Sequence, residues 1–166
     1  YILSPIYFFR LFIRGFSNSS YLLRWNERVG LSHLSPTQGK DLIWIHAVSV
    51  GEVNASIPLL RKLMESHPLA EFLVTTSTPT GSDVLLERIG SRIRHQYLPI
   101  DLPFCIGRFL NNWNPKILII LETEIWPNLI SCCKERGIST VLVNARLSKK
   151  SRDKYLRFVS LISPAI

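Results

Sequence analysis

The hydrophobic pattern changes period repeatedly after residue 41. Five short strand-like runs, at 42–46, 72–76, 94–98, 117–121 and 140–143, have strand length. Between them apolar residues recur at helical spacing, as at Val53, Ile57, Leu60, Leu63 and Met64. The pattern predicts helices near 53–66, 82–89, 103–113, 127–136 and 149–162. Strands alternating with helices in this way predict an α/β fold, a Rossmann-like parallel sheet with helices on both faces. Ligands of such sheets bind beyond the carboxyl ends of the strands, so the loops there are where chemistry is sought.

The first of these loops leads into Ser49, Gly51 and Glu52, and two readings of it stand side by side. Ser49 and Glu52 are spaced as a capping box, with the carboxylate bonding back to the Ser49 amide. Alternatively Glu52 is a general base, kept ionised because the helix dipole lowers its pKa. The second loop, 77–82, carries Thr78, Thr80 and Gly81, which offer hydroxyls and amides to a phosphate or sugar or simply cap the next helix. In the third, Asp101 is expected to cap the helix that follows it. Glu122 ends the fourth strand, where a carboxylate is costly unless paired or facing a solvated cleft, and Glu124 follows at the next helix start. After the fifth come Arg146, Lys149, Lys150 and Arg152, a cluster suited to phosphate or to a solvated surface.

Before residue 41 the pattern differs. Residues 1–16 are rich in Tyr and Phe around the whole helical circumference, with Arg10 and Arg14 interspersed. The apolar run ahead of Arg10 is nine residues, too short to span a bilayer. It reads as the inner end of a membrane helix or as an interfacial helix, giving a membrane-proximal unit over 1–30. Residues 17–40 read as a polar, irregular linker into a globular unit over 41–166. The chain begins at Tyr1 and stops at Ile166 in mid-pattern, so a fragment of a longer protein is expected.

Net charge is +8, unevenly placed: the first 30 residues carry +3 and residues 134–157 carry +6. Basic ends on a near-neutral body suit an anionic surface or anionic ligand groups, and no nucleic acid is expected as partner. Cys105, Cys132 and Cys133 have no metal-ligand spacing, so reduced thiols and no metal site are expected. A single glycine after the first strand argues against a dinucleotide dehydrogenase.

Taken together, these segments resemble the N-terminal half of bacterial 3-deoxy-D-manno-octulosonic acid (Kdo) transferases. The matching stretches are Arg24-Trp25-Asn26-Glu27-Arg28, His46-Ala47-Val48-Ser49-Val50-Gly51-Glu52 and Thr75-Thr76-Ser77-Thr78-Pro79-Thr80-Gly81. They continue as Tyr97-Leu98-Pro99-Ile100-Asp101-Leu102-Pro103, Glu122-Thr123-Glu124-Ile125-Trp126-Pro127-Asn128 and Asn144-Ala145-Arg146-Leu147-Ser148. Asn26 stands where relatives often have glycine, outside the candidate site. The resemblance implies the acceptor-binding domain of a two-domain GT-B glycosyltransferase, with the donor-binding C-terminal domain outside this chain. It implies inverting transfer of Kdo from CMP-Kdo to the 6′-hydroxyl of the lipid A precursor, with no cofactor or metal, at the cytoplasmic face of the inner membrane. Carried over by motif, Glu52 is the general base and Glu122 the transition-state stabiliser. Ser49, Gly51, Thr78, Thr80, Gly81, Glu124, Arg146 and Lys149 fall on the acceptor side. The alternative is a membrane-associated module that binds a phosphorylated glycolipid without chemistry.

Overall fold

The computed structural model describes residues 19–122 and 126–145, with Ile13, Gly15 and Phe16. The expected 149–162 helix and most of the aromatic N-terminal stretch lie outside the described residues. Among those described, no helix is long and apolar enough to cross a membrane.

Five parallel strands form one sheet: β1 (Leu42–His46), β2 (Glu71–Thr76), β3 (Arg94–Tyr97), β4 (Ile117–Leu121) and β5 (Ser139–Val143), in the order β3-β2-β1-β4-β5. A four-residue helix, α1 (Trp25–Arg28), precedes them. The connections are α2 (Val50–Ser66), α3 (Pro79–Ile89), α4 (Pro103–Trp113) and α5 (Pro127–Glu135). Strand residues alternate between two cores, as pleating requires. Leu42, Trp44, Leu73, Leu118 and Ile120 pack with Ile106, Phe109, Leu110 and Leu129 on the α4–α5 face. Ile43, Ile45, Phe72, Val74 and Ile119 pack with Val53, Ile57, Leu60 and Leu85 on the α2–α3 face. The middle strands are therefore buried on both sides and read as continuous apolar runs in the sequence.

The strand order fixes where a ligand can sit. From β1 the chain winds outward to β2 and β3, then crosses back to β4 on the other side of β1. The order reverses between β1 and β4, which opens a crevice at their carboxyl ends.

Two expectations are corrected here. The linker reading of 17–40 fails at α1, where Glu27 and Arg28 are buried. Glu27 accepts the Tyr97 N–H at 2.7 Å, and the Ile100 N–H donates to the Arg28 carbonyl at 2.9 Å. The segment is irregular in hydrophobic period because it docks through polar and charged groups. Asp101 caps not α4 but α5, accepting from the Leu129 N–H at 2.8 Å and the Asn128 N–H at 3.2 Å. Pro127 and Pro103 have no N–H to give at their first helical positions. A parallel sheet gathers all its helix N-termini at one edge, and there the free amides of α5 come within reach of Asp101.

Candidate active site

Helix α2 starts at Val50, three residues before the Val53 at which the helical apolar pattern begins, which puts Glu52 inside the first turn. The Glu52 side chain turns back over the β1 loop. Its Oε2 accepts the Val48 N–H at 2.6 Å, and its Oε1 accepts the Ser49 hydroxyl at 3.0 Å. The capping-box geometry is thus altered: the short backbone bond goes to Val48, the Ser49 amide adds a weaker contribution, and the Ser49 hydroxyl donates to Glu52 instead of capping. Each carboxylate oxygen keeps lone-pair capacity for another donor.

Glu52 is 5% exposed, and that burial raises its pKa above the ordinary carboxylate value. The Val48 and Ser49 hydrogen bonds oppose the rise, and the charge of Glu122 adds to it. The expected depression by the helix dipole is therefore corrected: desolvation is the larger effect. A raised carboxylate is a stronger base near neutral pH than an ordinary one.

Glu122 stands directly after β4, across the switch point from β1. The register pairs His46 with Ile120, so Val48 and Glu122 each lie two residues further along. Glu122 is half-buried and left-handed (φ 59°), and its N–H donates to the Val143 carbonyl at 2.9 Å. A non-glycine residue in that region is strained, and such strain collects at functional positions.

The second loop closes on the first. The Ser77 N–H donates to the Val48 carbonyl at 3.2 Å. Thr78 caps α3, its Oγ1 accepting the Gly81 N–H at 3.2 Å and donating to the Val48 carbonyl at 3.5 Å. Gly81 is buried, and a Cβ there would lie 3.6 Å from the Ser49 carbonyl carbon and 3.7 Å from Val53 Cγ2. That close approach brings the N-termini of α2 and α3 together. Gly51 and Thr80 are exposed on this edge, and a Cβ at Gly51 would face open space apart from Ser49 Oγ at 3.8 Å. Glu124, Arg146 and Lys149 lie outside the described residues.

Beneath the loops sits a polar layer. His46 is fully buried, with Nδ1 2.9 Å from Thr75 Oγ1, and burial lowers its pKa to about 4. His95 is buried with Nε2 3.0 Å from Thr76 Oγ1, and burial, then the Arg24 charge, takes it down to about 3. Both are neutral structural groups at ordinary pH. Arg24 bonds Glu27 at 2.6 Å and the His95 carbonyl at 3.1 Å. Arg24 thus pairs within the fold. The three cysteines are free thiols, and burial pushes Cys133 up to about 12, which makes it a poor nucleophile.

Residues 23–166 match the family model described as 3-deoxy-D-manno-octulosonic-acid transferase (kdotransferase). The chain belongs to the Kdo transferase family. It is 46% identical over 138 residues to 3-deoxy-D-manno-octulosonic acid transferase of Haemophilus influenzae, covering 81% of this chain and 32% of that protein. It is 38% identical over 155 residues to the probable mitochondrial 3-deoxy-D-manno-octulosonic acid transferase of Arabidopsis thaliana, covering 93% of this chain and 34% of the relative. The Rickettsia bellii 3-deoxy-D-manno-octulosonic acid transferase is 36% identical over 155 residues, again 93% of this chain and 37% of the relative. The chain thus spans about a third of the length of these Kdo transferase relatives. Its Rossmann-like sheet is the N-terminal domain of this glycosyltransferase family.

The docked α1 segment was invisible to periodicity. The sequence signal that could have found it is a tryptophan flanked by Arg24, Glu27 and Arg28 within an otherwise uncharged stretch.

Proposed function

We propose that the complete protein transfers Kdo from CMP-Kdo to the 6′-hydroxyl of a lipid A precursor, with inversion and without a metal or cofactor. The observation that carries this reading is the placement of Glu52 and Glu122 at the β1–β4 switch point, their charges coupled. Family membership supports the donor and acceptor classes.

In this reading the acceptor hydroxyl oxygen attacks the anomeric carbon of Kdo while the bond to the CMP phosphate breaks. The phosphate leaves with the electron pair, and Glu52 takes the hydroxyl proton. The leaving group is already a good one, so the protein's contribution is mostly positioning and electrostatics. The burial that raises the Glu52 pKa suits it to proton abstraction near neutrality. Glu122 faces the positive charge that develops on the sugar. Ser49, Gly51, Thr78, Thr80 and Gly81 border the acceptor, with Glu124, Arg146 and Lys149 on the same side. A second Rossmann-like domain supplies the CMP-Kdo site, and the N-terminal segment holds the enzyme on the cytoplasmic face of the inner membrane.

Glu52→Gln in the full-length protein tests the reading. The variant should fold, bind both substrates and lose at least about two orders of magnitude in kcat. Turnover within about threefold of wild type would remove Glu52 from the base role.

A further inference from the structure

Arg28 is the one arginine among the largest fully buried side chains, at 0% exposure, and it lies in a segment before the first strand. Burying a guanidinium is costly unless it is compensated. Its carbon Cζ lies 4.4 Å from the centroid of the Tyr97 ring, a cation–π platform, and its Nη2 donates to the Ser77 carbonyl at 3.2 Å. Ser77 in turn donates its N–H to the Val48 carbonyl at 3.2 Å. Val48 donates its N–H to Glu52 Oε2 at 2.6 Å. Four residues from three separate parts of the chain are thus linked in series, ending on the candidate base.

We infer that Arg28 is a positioning residue for Glu52, acting through the backbones of Ser77 and Val48. The inference rests on the proposed role of Glu52 as base. The second loop is free of regular structure from Ser77 to Thr78, where its contacts include hydrogen bonds to the Val48 carbonyl. Arg28 supplies a further contact from below, from a helix anchored independently to β3. That anchor comprises the Glu27 bond to the Tyr97 N–H and the Ile100 bond to the Arg28 carbonyl. Lysine could carry the charge but not the planar fork that stacks and donates at once. Releasing Ser77 lets Val48 shift, and the 2.6 Å bond that favours the ionised form of Glu52 loosens.

The sign of the effect follows. Losing the Val48 bond raises the Glu52 pKa, so the acidic limb of kcat against pH moves upward. Among the described residues, the charged group acting on Glu52 is Glu122, which the test leaves in place. Among the described residues, the charged and titratable groups near Arg28 and its Tyr97 platform include Arg24, Glu27, His95 and Asp83, also unchanged.

The test compares full-length wild type, Arg28→Gln, Arg28→Lys and Glu52→Gln. Arg28→Gln should lower kcat about ten- to a hundredfold through misplacement, with the donor KM unchanged. Its acidic limb should move to higher pH. Arg28→Lys, which keeps the charge without the fork, should recover only a small part of both. A merely structural role would lower the unfolding midpoint and leave the limb where it is, which would overturn the inference. Should Arg28→Gln not fold, amide exchange in Arg28→Lys decides. Faster exchange at Val48 with β1 still protected upholds the coupling, and unchanged exchange at Val48 overturns it. Failure of the base reading looks different: Glu52→Gln would then retain turnover, whatever Arg28 does.

Discussion

Glu52 and Glu122 sit on opposite sides of the point where the strand order reverses, and the charge of Glu122 raises the pKa of Glu52. The two carboxylates are far apart in sequence and have different supports. Glu52 is held by the Val48 amide and the Ser49 hydroxyl, Glu122 by a left-handed backbone tied to Val143. One is buried and the other half-buried, an asymmetry suited to giving a pair of carboxylates different roles.

Glu122→Gln should shift the acidic limb of kcat towards lower pH, because a like charge no longer opposes ionisation of Glu52. This is opposite in direction to the movement expected for Arg28→Gln. The pH–rate profiles of the two variants, taken together, check the argument. A limb that stays put in Glu122→Gln would show that the two carboxylates do not communicate.

The buried histidines make stability depend on pH. Their folded-state values, about 4 for His46 and about 3 for His95, lie below the ordinary 6.5. Between the folded and unfolded values the unfolded chain binds more protons. The stability from keeping each imidazole neutral is therefore fully present above pH 6.5 and is lost as pH falls towards the folded-state values. The slope is about 1.4 kcal/mol per pH unit for each histidine. Urea unfolding across this window should show a shallower loss in His95→Gln than in wild type. Parallel curves would mean that His95 is not held neutral.

Gly30 has φ +85°, and a Cβ there would lie 2.1 Å from the Cys105 carbonyl oxygen and 3.1 Å from Arg108 Cβ. The docking of α1 against the first turn of α4 thus depends on a missing side chain. Gly137 has φ +68° and nothing within 4 Å, so it isolates the backbone cost. Gly137→Ala should cost about 1–2 kcal/mol. Gly30→Ala should cost at least about 2 kcal/mol more, since backbone must move. Equal losses in denaturant unfolding would show that α1 can shift without penalty.

If the N-terminal segment holds the enzyme on a membrane, the full-length protein should sediment with the inner membrane and need detergent for extraction. Replacing Arg10 and Arg14 with glutamate should weaken its attachment to vesicles containing anionic lipid, by about 1 kcal/mol per charge. Full solubility of the intact protein at low salt would remove the membrane from the picture.

The sequence by itself determined the sheet. Strands buried on both faces leave unbroken apolar runs, as β1, β2 and β4 do, and amphipathic helices leave a three-to-four spacing. The outer strands β3 and β5 were placed by their alternation with those helices, so the elements were legible to within a few residues. The candidate carboxylates were legible for the same reason, being charges placed where an apolar run ends. Tertiary structure alone decided the rest. Asp101 serves α5 because the parallel sheet crowds helix N-termini together, a fact no local window contains. Desolvation is the largest effect on the Glu52 pKa, and the turn that carries Glu52 is closed over by the loop that follows β2. Arg28 looks like a surface charge in sequence and is the most enclosed arginine among the described residues, because its compensation comes from Tyr97 and Ser77, far along the chain. Apolar burial writes a periodic signal into neighbouring residues; a polar contact between distant residues writes none.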